Sequence, residues 1–160
     1  MYLFTATTGY NYSLGSLRSN TSLSFFYQDS KLILDTLDNA SMNQTYSLNQ
    51  GFSFKIPLSI TFGASYSKSE FASKKMDIIM SSLSGTYSAF KGKWQNTLGV
   101  KYSSRISDEE KLGYFWDTRV RLWDGGDLSI RIENNIYQNY LPGADDFNEF
   151  IASLSFEVRW

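Results

Sequence analysis

The chain lacks both cysteine and histidine among its 160 residues. Without histidine it can form neither a Ser-His-Asp triad nor a Cys-His dyad, and imidazole metal ligands are excluded. Without cysteine it has neither a disulfide framework nor a zinc cluster. With a net charge of −1 the chain has no surplus of basic residues, which argues against a nucleic-acid partner. We therefore predict no metal site and no cofactor.

Long apolar runs are missing as well. The longest are of the kind formed by Ile78, Ile79 and Met80, whereas a membrane-spanning helix needs about 20 apolar residues. No basic segment followed by an apolar stretch begins at Met1, so no export signal is visible in this sequence. A mean hydropathy of −0.31 would by itself fit a soluble domain.

What the sequence does contain is an apolar side chain at every second position over most of its length. The clearest stretch runs from Phe150 to Trp160, and similar stretches recur back to Phe4. Such alternation places one residue set on each face of a β-strand. It predicts about nine strands of roughly 9–13 residues, longer than the ~5–6 usual in soluble sheets and close to the ~9–11 of a membrane-spanning strand.

The predicted connections alternate between short and long. Short ones lie at 15–20, 55–58, 90–93 and 123–127, and longer, more polar ones at 29–42, 68–75, 105–112 and 141–146. This alternation is typical of outer-membrane barrels. The apolar parity changes within one segment, which predicts a β-bulge near Ser81 and Ser82.

The ionised residues of the later strands share one face. A charge facing lipid at mid-depth costs about 2–4 kcal/mol, so we expect this face to point inward. The predicted lumen-facing charges are Lys101, Asp117, Arg119, Arg121, Arg131, Glu133 and Glu149. With Lys93, Arg159 and Glu157 added, bases outnumber acids, which predicts a mild anion preference if the interior is open. In a narrow barrel the same charges would pair and close it.

Tyrosine and tryptophan occur near the predicted strand ends, on the opposite face. Their rings are apolar while their O–H or N–H groups favour water, so both residues collect at membrane interfaces. The predicted interface aromatics are Tyr46, Tyr66, Tyr102, Tyr114, Trp116 and Tyr140 near the long loops, and Trp94 and Trp160 near the short turns.

The last strand resembles the C-terminal strand of bacterial outer-membrane β-barrel proteins, which commonly ends in an aromatic residue after alternating apolar ones. The resemblance rests on Phe156, Val158 and Trp160. It implies an all-β, antiparallel up-and-down transmembrane β-barrel with 8–10 strands in residues 1–160, as a whole barrel or the C-terminal portion of a larger one. It further implies a Gram-negative outer-membrane location with the short turns in the periplasm. The implied partners are the bilayer, lipopolysaccharide, the barrel assembly machinery and further envelope subunits.

The function implied by this resemblance is a passive, porin-like pore or a membrane anchor. Barrel enzymes of this class rely on histidine, so we expect no catalysis. Asp117 and Glu133 could form an acid–base pair on adjacent strands, but a charge lattice with the neighbouring arginines is the simpler interpretation. A non-conducting subunit of an envelope complex and a soluble barrel binding an apolar ligand stay open as alternatives.

The strand count itself leaves a question. Nine is odd, whereas single-chain bacterial barrels have an even number of strands. Either the chain is part of a larger barrel, or a strand near residues 1–35 is miscounted.

Overall fold

A computed structural model describes residues 2–34, 37–71, 74–106 and 108–158, and folds them into one antiparallel sheet. Each strand pairs with its neighbours in sequence, so the sheet runs up and down in the order β1 to β9. This confirms the predicted architecture. The strands are β1 Tyr2–Leu14, β2 Leu17–Leu34, β3 Leu37–Phe54, β4 Leu58–Phe71, β5 Lys74–Ala89, β6 Trp94–Arg105, β7 Glu109–Trp123, β8 Gly126–Asn139 and β9 Phe147–Val158, with a 3₁₀ turn at Phe90–Gly92.

Two of the predicted long loops are instead strand. β2 and β3 continue as a paired hairpin to Leu34 and Leu37, through most of the predicted loop 29–42. β4 and β5 likewise pair out to Phe71 and Lys74. In sequence, residues 32–34 are consecutively apolar and residues 68–70 are polar at both parities, so neither stretch alternates although backbone pairing continues. The longest strands have 18 residues, beyond the predicted range.

The β-bulge predicted near Ser81 and Ser82 is wrong. β5 keeps one continuous register with β4, with Met80 opposite Ser65 and Ile79 opposite Tyr66. The parity change arises because Met76, Ile78 and Met80 are apolar residues on an otherwise polar face. A register shift lies instead on β7, between Arg121 and Trp123.

The register sorts side chains onto two faces. The apolar face comprises the even-numbered residues of β1, β3, β4 and β6–β9 and the odd-numbered residues of β2 and β5; the polar face holds the others. No hydrophobic residue is buried within the described ranges, and large ones such as Phe150 and Leu154 are about 70% exposed. The described residues form a single layer, and none of them covers the apolar face as a second layer. No helix in these ranges is long and apolar enough to cross a membrane.

The sheet has two free edges. Among the described residues, β1 pairs only with β2 and β9 only with β8. Because nine strands alternate in direction, β1 and β9 run the same way. A direct pairing between them would be parallel, unlike every other pairing in the sheet.

Candidate functional site: the polar face and its aromatic borders

All seven charged residues predicted to face the interior lie together on the polar face of β6–β9. Lys101 is on β6, Arg121, Arg119 and Asp117 on β7, Arg131 and Glu133 on β8, and Glu149 on β9. The structure therefore brings these residues onto one surface. That this surface lines a lumen remains a prediction.

Glu133 is the centre of one charged cluster. Its carboxylate lies 2.7 Å from Arg131 Nη2 and 3.9 Å from Lys101 Nζ. Both cations also lie over the ring of Phe115, at 4.8 Å for Lys101 Nζ and 5.2 Å for Arg131 Cζ. Phe115 pairs directly with Gly99, and a Cβ at position 99 would collide with its ring. The glycine thus creates the space in which the aromatic ring lies flat against the neighbouring strand.

Asp127 is the centre of a second cluster, which the sequence interpretation missed. Its carboxylate lies 2.5 Å from Arg119 Nη2 and 3.4 Å from Arg121 Nε, and Arg119 also lies 3.6 Å from Glu157. Asp127 was assigned to the turn because it follows Asp124, Gly125 and Gly126. Asp127 has an odd number, like the charged residues of β7, and this parity is the sequence signal that places it on the same face.

Glu149 belongs to a third group on β8 and β9. It accepts hydrogen bonds from Asn135 Nδ2 and from the Tyr137 hydroxyl, both at 3.1 Å. Asn135 is fully buried and lies above Gly113, where a Cβ would come within 2.5 Å of its Oδ1. Lys111 Nζ lies 4.9 Å from the centre of the Tyr137 ring. One network thus joins three strands: Lys111 on β7, Asn135 and Tyr137 on β8, and Glu149 on β9.

The charges of β6–β9 balance, contrary to the predicted basic surplus. Lys93 lies in the turn before β6, Arg159 lies outside the described residues, and the unanticipated Asp127 adds a negative charge. On the polar face of these strands, six bases are matched in number by six acids: Lys101, Arg105, Lys111, Arg119, Arg121 and Arg131 against Glu109, Asp117, Asp127, Glu133, Glu149 and Glu157. Among the described residues of these four strands there is therefore no basic surplus to support an anion preference.

The proposed carboxylate pair is not formed as a unit. Asp117 lies opposite Arg131, and Glu133 lies opposite Phe115 and binds two cations. A carboxylate held by Arg131 and Lys101 is stabilised in its charged form, which is the arrangement of a charge lattice.

The polar face of β1–β5 differs in kind. It carries mainly Ser, Thr, Asn and Gly, and its hydroxyls pair across strands: Ser24 with Ser47 at 2.5 Å and Thr45 with Ser67 at 3.0 Å. A cavity of about 480 Å³ lies where the two parts of this face meet. It is lined by Ser47, Asn49, Ser65 and Ser82 together with Lys101, Lys111 and Glu133, among others.

Aromatic side chains form two borders on the apolar face. On the side of the long connections, the upper aromatic row consists of Phe4, Phe25, Tyr46 and Tyr66, with consecutive ring centroids 5.9, 4.8 and 6.4 Å apart. Tyr46 was expected near a long loop but lies near the middle of β3, because β2 and β3 pair out to Leu34 and Leu37. At the other end, the lower aromatic row contains two ring pairs, Phe90 with Trp94 at 6.2 Å and Trp123 with Phe156 at 5.6 Å. The register shift after Arg121 places the odd-numbered Trp123 opposite Gly126, and thereby beside Phe156.

The remaining predicted aromatics fall into three groups. Tyr102 lies on the apolar face near the upper end of β6. Tyr114 and Trp116 lie mid-strand, opposite Val100 and Leu98, rather than at a strand end as expected. Tyr140 follows β8; partial desolvation, and then the charge of Glu110, raise the pKa of its phenol. Trp160 lies outside the described residues.

Comparison with known proteins bears on the fold. No family model and no curated protein matches the chain. A solved structure titled "Outer-membrane expressed OmpT of Vibrio cholerae" superimposes with a TM-score of 0.66 at 12% identity, over 99% of this chain. The chain has the fold of an outer-membrane β-barrel. It spans 56% of the length of that structure, so the match corresponds to part of the larger chain.

The spacing of the two aromatic rows fits this fold. Tyr46 of the upper row lies eight residues from Phe54 at the short-turn end of β3, and Trp94 of the lower row lies eight residues from Tyr102 on β6. Eight residues span about 26 Å at ~3.3 Å per residue. With the ~40° tilt of barrel strands this becomes about 20 Å of height, similar to the roughly 25 Å apolar band of outer-membrane barrels.

Proposed function

We propose that the chain forms part of the wall of a bacterial outer-membrane β-barrel that serves as a passive pore or anchor, without catalysis. In this proposal the apolar face contacts lipid and lipopolysaccharide, and the polar face lines the interior. The carrying observation is that the described residues bury no hydrophobic side chain, while one face exposes many large ones between two aromatic rows. A soluble barrel would have to cover that face.

The shape of the apolar face supports contact with lipid chains. A groove of about 780 Å³ crosses β1–β5 on this face, bordered by Phe25, Tyr46 and Tyr66 on one side and by Leu23 and Leu48 on the other. Its lining is almost wholly apolar. An acyl chain is the kind of molecule that such a groove accommodates.

The free edges of β1 and β9 support a barrel larger than nine strands. In hydrocarbon, unpaired backbone N–H and C=O groups cost several kcal/mol each, so a membrane sheet has to close. Since β1 and β9 run in the same direction, antiparallel closure requires an odd number of further strands. The same polypeptide or another envelope subunit can supply them.

The interior suggests two functional outcomes. The hydroxyl-lined wall of β1–β5 favours a water-filled path, because its side chains are short. The ion pairs that link β6, β7, β8 and β9 favour the second candidate, a non-conducting structural barrel, because long charged side chains fill the space they bridge.

The barrel assembly machinery is the proposed partner for insertion. Phe156 and Val158 lie on the apolar face of β9, and Phe156 packs against Trp123. Replacing Phe156 with alanine should slow assembly in cells, measured as accumulation of the unfolded gel form. An unchanged assembly rate would argue against a role for this residue.

Detergent extraction from membranes, followed by gel electrophoresis with and without heating, tests the membrane barrel. We expect a band whose mobility changes on heating; a monodisperse monomer in plain buffer would overturn the proposal. Conductance across a planar bilayer then separates the pore from the non-conducting barrel.

A further inference from the structure

The cavity of about 480 Å³ where the two parts of the polar face meet, here called the junction cavity, has walls of different chemistry. β3, β4 and β5 line it with hydroxyl and amide groups, among them Asn49 and Ser82. β6, β7 and β8 line it with the amines of Lys101 and Lys111 and the carboxylate of Glu133. Its volume lies within the range of about 300–1,000 Å³ that is usual for small-molecule sites. A cavity of this size and polarity suits a small polar solute.

On the uncharged wall, two polar side chains converge over a glycine. Gly63 lies opposite both Asn49 on β3 and Ser82 on β5. A Cβ added to Gly63 would lie 3.2 Å from Asn49 Oδ1 and 3.0 Å from Ser82 Oγ, so both side chains lean over the glycine from opposite sides. Neither side chain forms a hydrogen bond with another described residue. The amide and the hydroxyl are therefore available to one solute at the same point.

On the charged wall, Lys101 has an ammonium with unused donors. Its Nζ lies 3.9 Å from the Glu133 carboxylate, beyond hydrogen-bond distance, whereas Arg131 Nη2 lies 2.7 Å from the same carboxylate. The Lys101 side chain is 47% exposed. Lys101 pairs directly with Ser82, so its strand adjoins the place where Asn49 and Ser82 converge.

The charge of the junction cavity favours a solute with a single negative charge. Its lining has two amines, from Lys101 and Lys111, and one carboxylate, from Glu133, which leaves one positive charge in excess. One carboxylate on a solute matches that excess. A phosphate monoester, which carries about −1.5 to −2 at pH 7, exceeds it.

The rest of the lining favours a sugar ring over an inorganic anion. Met80 lies between Ser65 and Ser103 on the side of the junction cavity toward the long connections, and it is 45% exposed. A sugar ring presents apolar C–H groups beside its hydroxyls. A thioether flanked by two hydroxyls can contact both kinds of group.

We propose that the junction cavity binds a sugar acid, that is, a small polyhydroxylated monocarboxylate. The carboxylate of the solute accepts hydrogen bonds from the Lys101 ammonium, and its hydroxyl groups bond to Asn49 and Ser82 above Gly63. This inference rests on the proposed function, because it needs the polar face to line the interior of the barrel. It does not require that the barrel conduct ions.

Calorimetric titration of the heat-modifiable protein, extracted from membranes in detergent, tests the binding. The probes are glucuronate, glucose, which has the ring without the carboxylate, and acetate, which has the carboxylate without the ring. We expect glucuronate to bind about tenfold more tightly than either, the effect of one charged or several neutral hydrogen bonds. Glucose or acetate binding as tightly as glucuronate, or no detectable binding of glucuronate, would overturn the sugar-acid site.

Lys101→Gln tests the charged wall. Glutamine keeps a hydrogen-bond donor but removes the charge, so the affinity for glucuronate should fall about tenfold, to near that for glucose. An unchanged affinity would show that the carboxylate binds elsewhere and would overturn the assignment of Lys101.

Gly63→Ala tests the uncharged wall. The added methyl group occupies the point where Asn49 and Ser82 converge, and the affinity for glucuronate should fall about three- to tenfold. Gly51→Ala is the matched control on the same face, because a Cβ there would meet only Asn20 O, at 3.9 Å, and Gly51 does not line the junction cavity. Equal affinities in these two variants would overturn the site.

The readouts separate this inference from the proposed function. Failure to extract a heat-modifiable band would overturn the membrane barrel itself. A heat-modifiable protein without a preference for glucuronate would overturn the sugar-acid site alone. Because calorimetry needs no ion flow, the test applies equally to a pore and to a non-conducting barrel.

Discussion

The two parts of the polar face satisfy their polar side chains in different ways, by hydroxyl pairs on β1–β5 and by ion pairs on β6–β9. On β1–β5 most of the side chains are short and uncharged, and they satisfy one another through pairs such as Ser24 with Ser47. On β6–β9 they are long and charged, and they form ion pairs that span up to three strands. Both arrangements satisfy polar groups inside a barrel wall. They differ in what they leave open: the first keeps space along the wall, and the second occupies it.

The difference extends to the glycines of the two parts. Gly99 and Gly113 in the charged part lie beneath Phe115 and Asn135, whereas Gly51 in the uncharged part would place a Cβ no closer than 3.9 Å to Asn20 O. The tightest glycine of the uncharged part is Gly63, where a Cβ would lie 3.0 Å from Ser82 Oγ, compared with 2.4 Å from the Phe115 ring at Gly99 and 2.5 Å from Asn135 Oδ1 at Gly113. The charged part is therefore the less tolerant of substitution.

The largest expected effect is at Gly99. Gly99→Ala should lower the free energy of unfolding by about 1–3 kcal/mol, because the new methyl group displaces the Phe115 ring and its two cations. Gly51→Ala is the matched control on the same face and should be nearly neutral. Urea titration of the heat-modifiable folded band measures both. Equal losses at the two positions would remove the contrast between the parts.

Asp127→Asn should give the next largest loss of stability. It removes the carboxylate that Arg119 and Arg121 share, and both guanidinium groups then lack their closest acceptor. Because these arginines are 40% and 48% exposed, water offsets part of the loss. Asp117→Asn is the control, because it makes the same charge change and Asp117 forms no ion pair within the described residues. It should lower the free energy of unfolding less than Asp127→Asn in the same urea titration.

Ion selectivity is a more subtle test of the charged part. With acids and bases balanced, we expect the natural protein, if it conducts, to show little preference for either ion sign. Lys101→Gln should shift the reversal potential in a planar bilayer toward cation preference, and Glu133→Gln toward anion preference. Ser82→Ala, directly opposite Lys101, should shift nothing. Identical reversal potentials for all four proteins would show that these residues do not line the ion path.

The smallest effect belongs to the uncharged part. Ser24→Ala or Ser47→Ala removes one half of a hydroxyl pair and should cost about 0.5–1.5 kcal/mol. The double variant should cost little more than either single one, since the pair acts as a unit. Additive losses in urea titration would mean that each hydroxyl has another partner.

Much of the fold could be predicted because a single-layer sheet shows its faces in the sequence. Alternation identified the strands and assigned Lys101, Arg119 and Glu133 to one face. It failed in the outer parts of β2–β5, where residues 32–34 are consecutively apolar and residues 68–70 are polar at both parities, because without alternation nothing distinguishes strand from loop. It also left Asp127 in the predicted turn, because the turn signal of Asp124, Gly125 and Gly126 outweighed the odd number that places Asp127 with the charges of β7.

The depth of individual aromatics could not be read from the sequence either. Tyr114 and Trp116 were placed near a strand end because the loop before β7 was expected to extend to Leu112. Pairing of Glu109 with Arg105 moves the start of β7 back, so both aromatics fall mid-strand. Depth depends on where pairing begins, which composition does not reveal.

The odd number of crossings has a topological consequence for labelling. Tyr2 pairs with Asp29 at the end of the long connections, while Val158 pairs with Gly126 beside a short turn. In a membrane these two residues therefore reside in different compartments. Of two epitopes inserted beside these residues, only one should bind antibody applied to intact cells. The odd strand count thus predicts which end of the chain faces each side of the membrane.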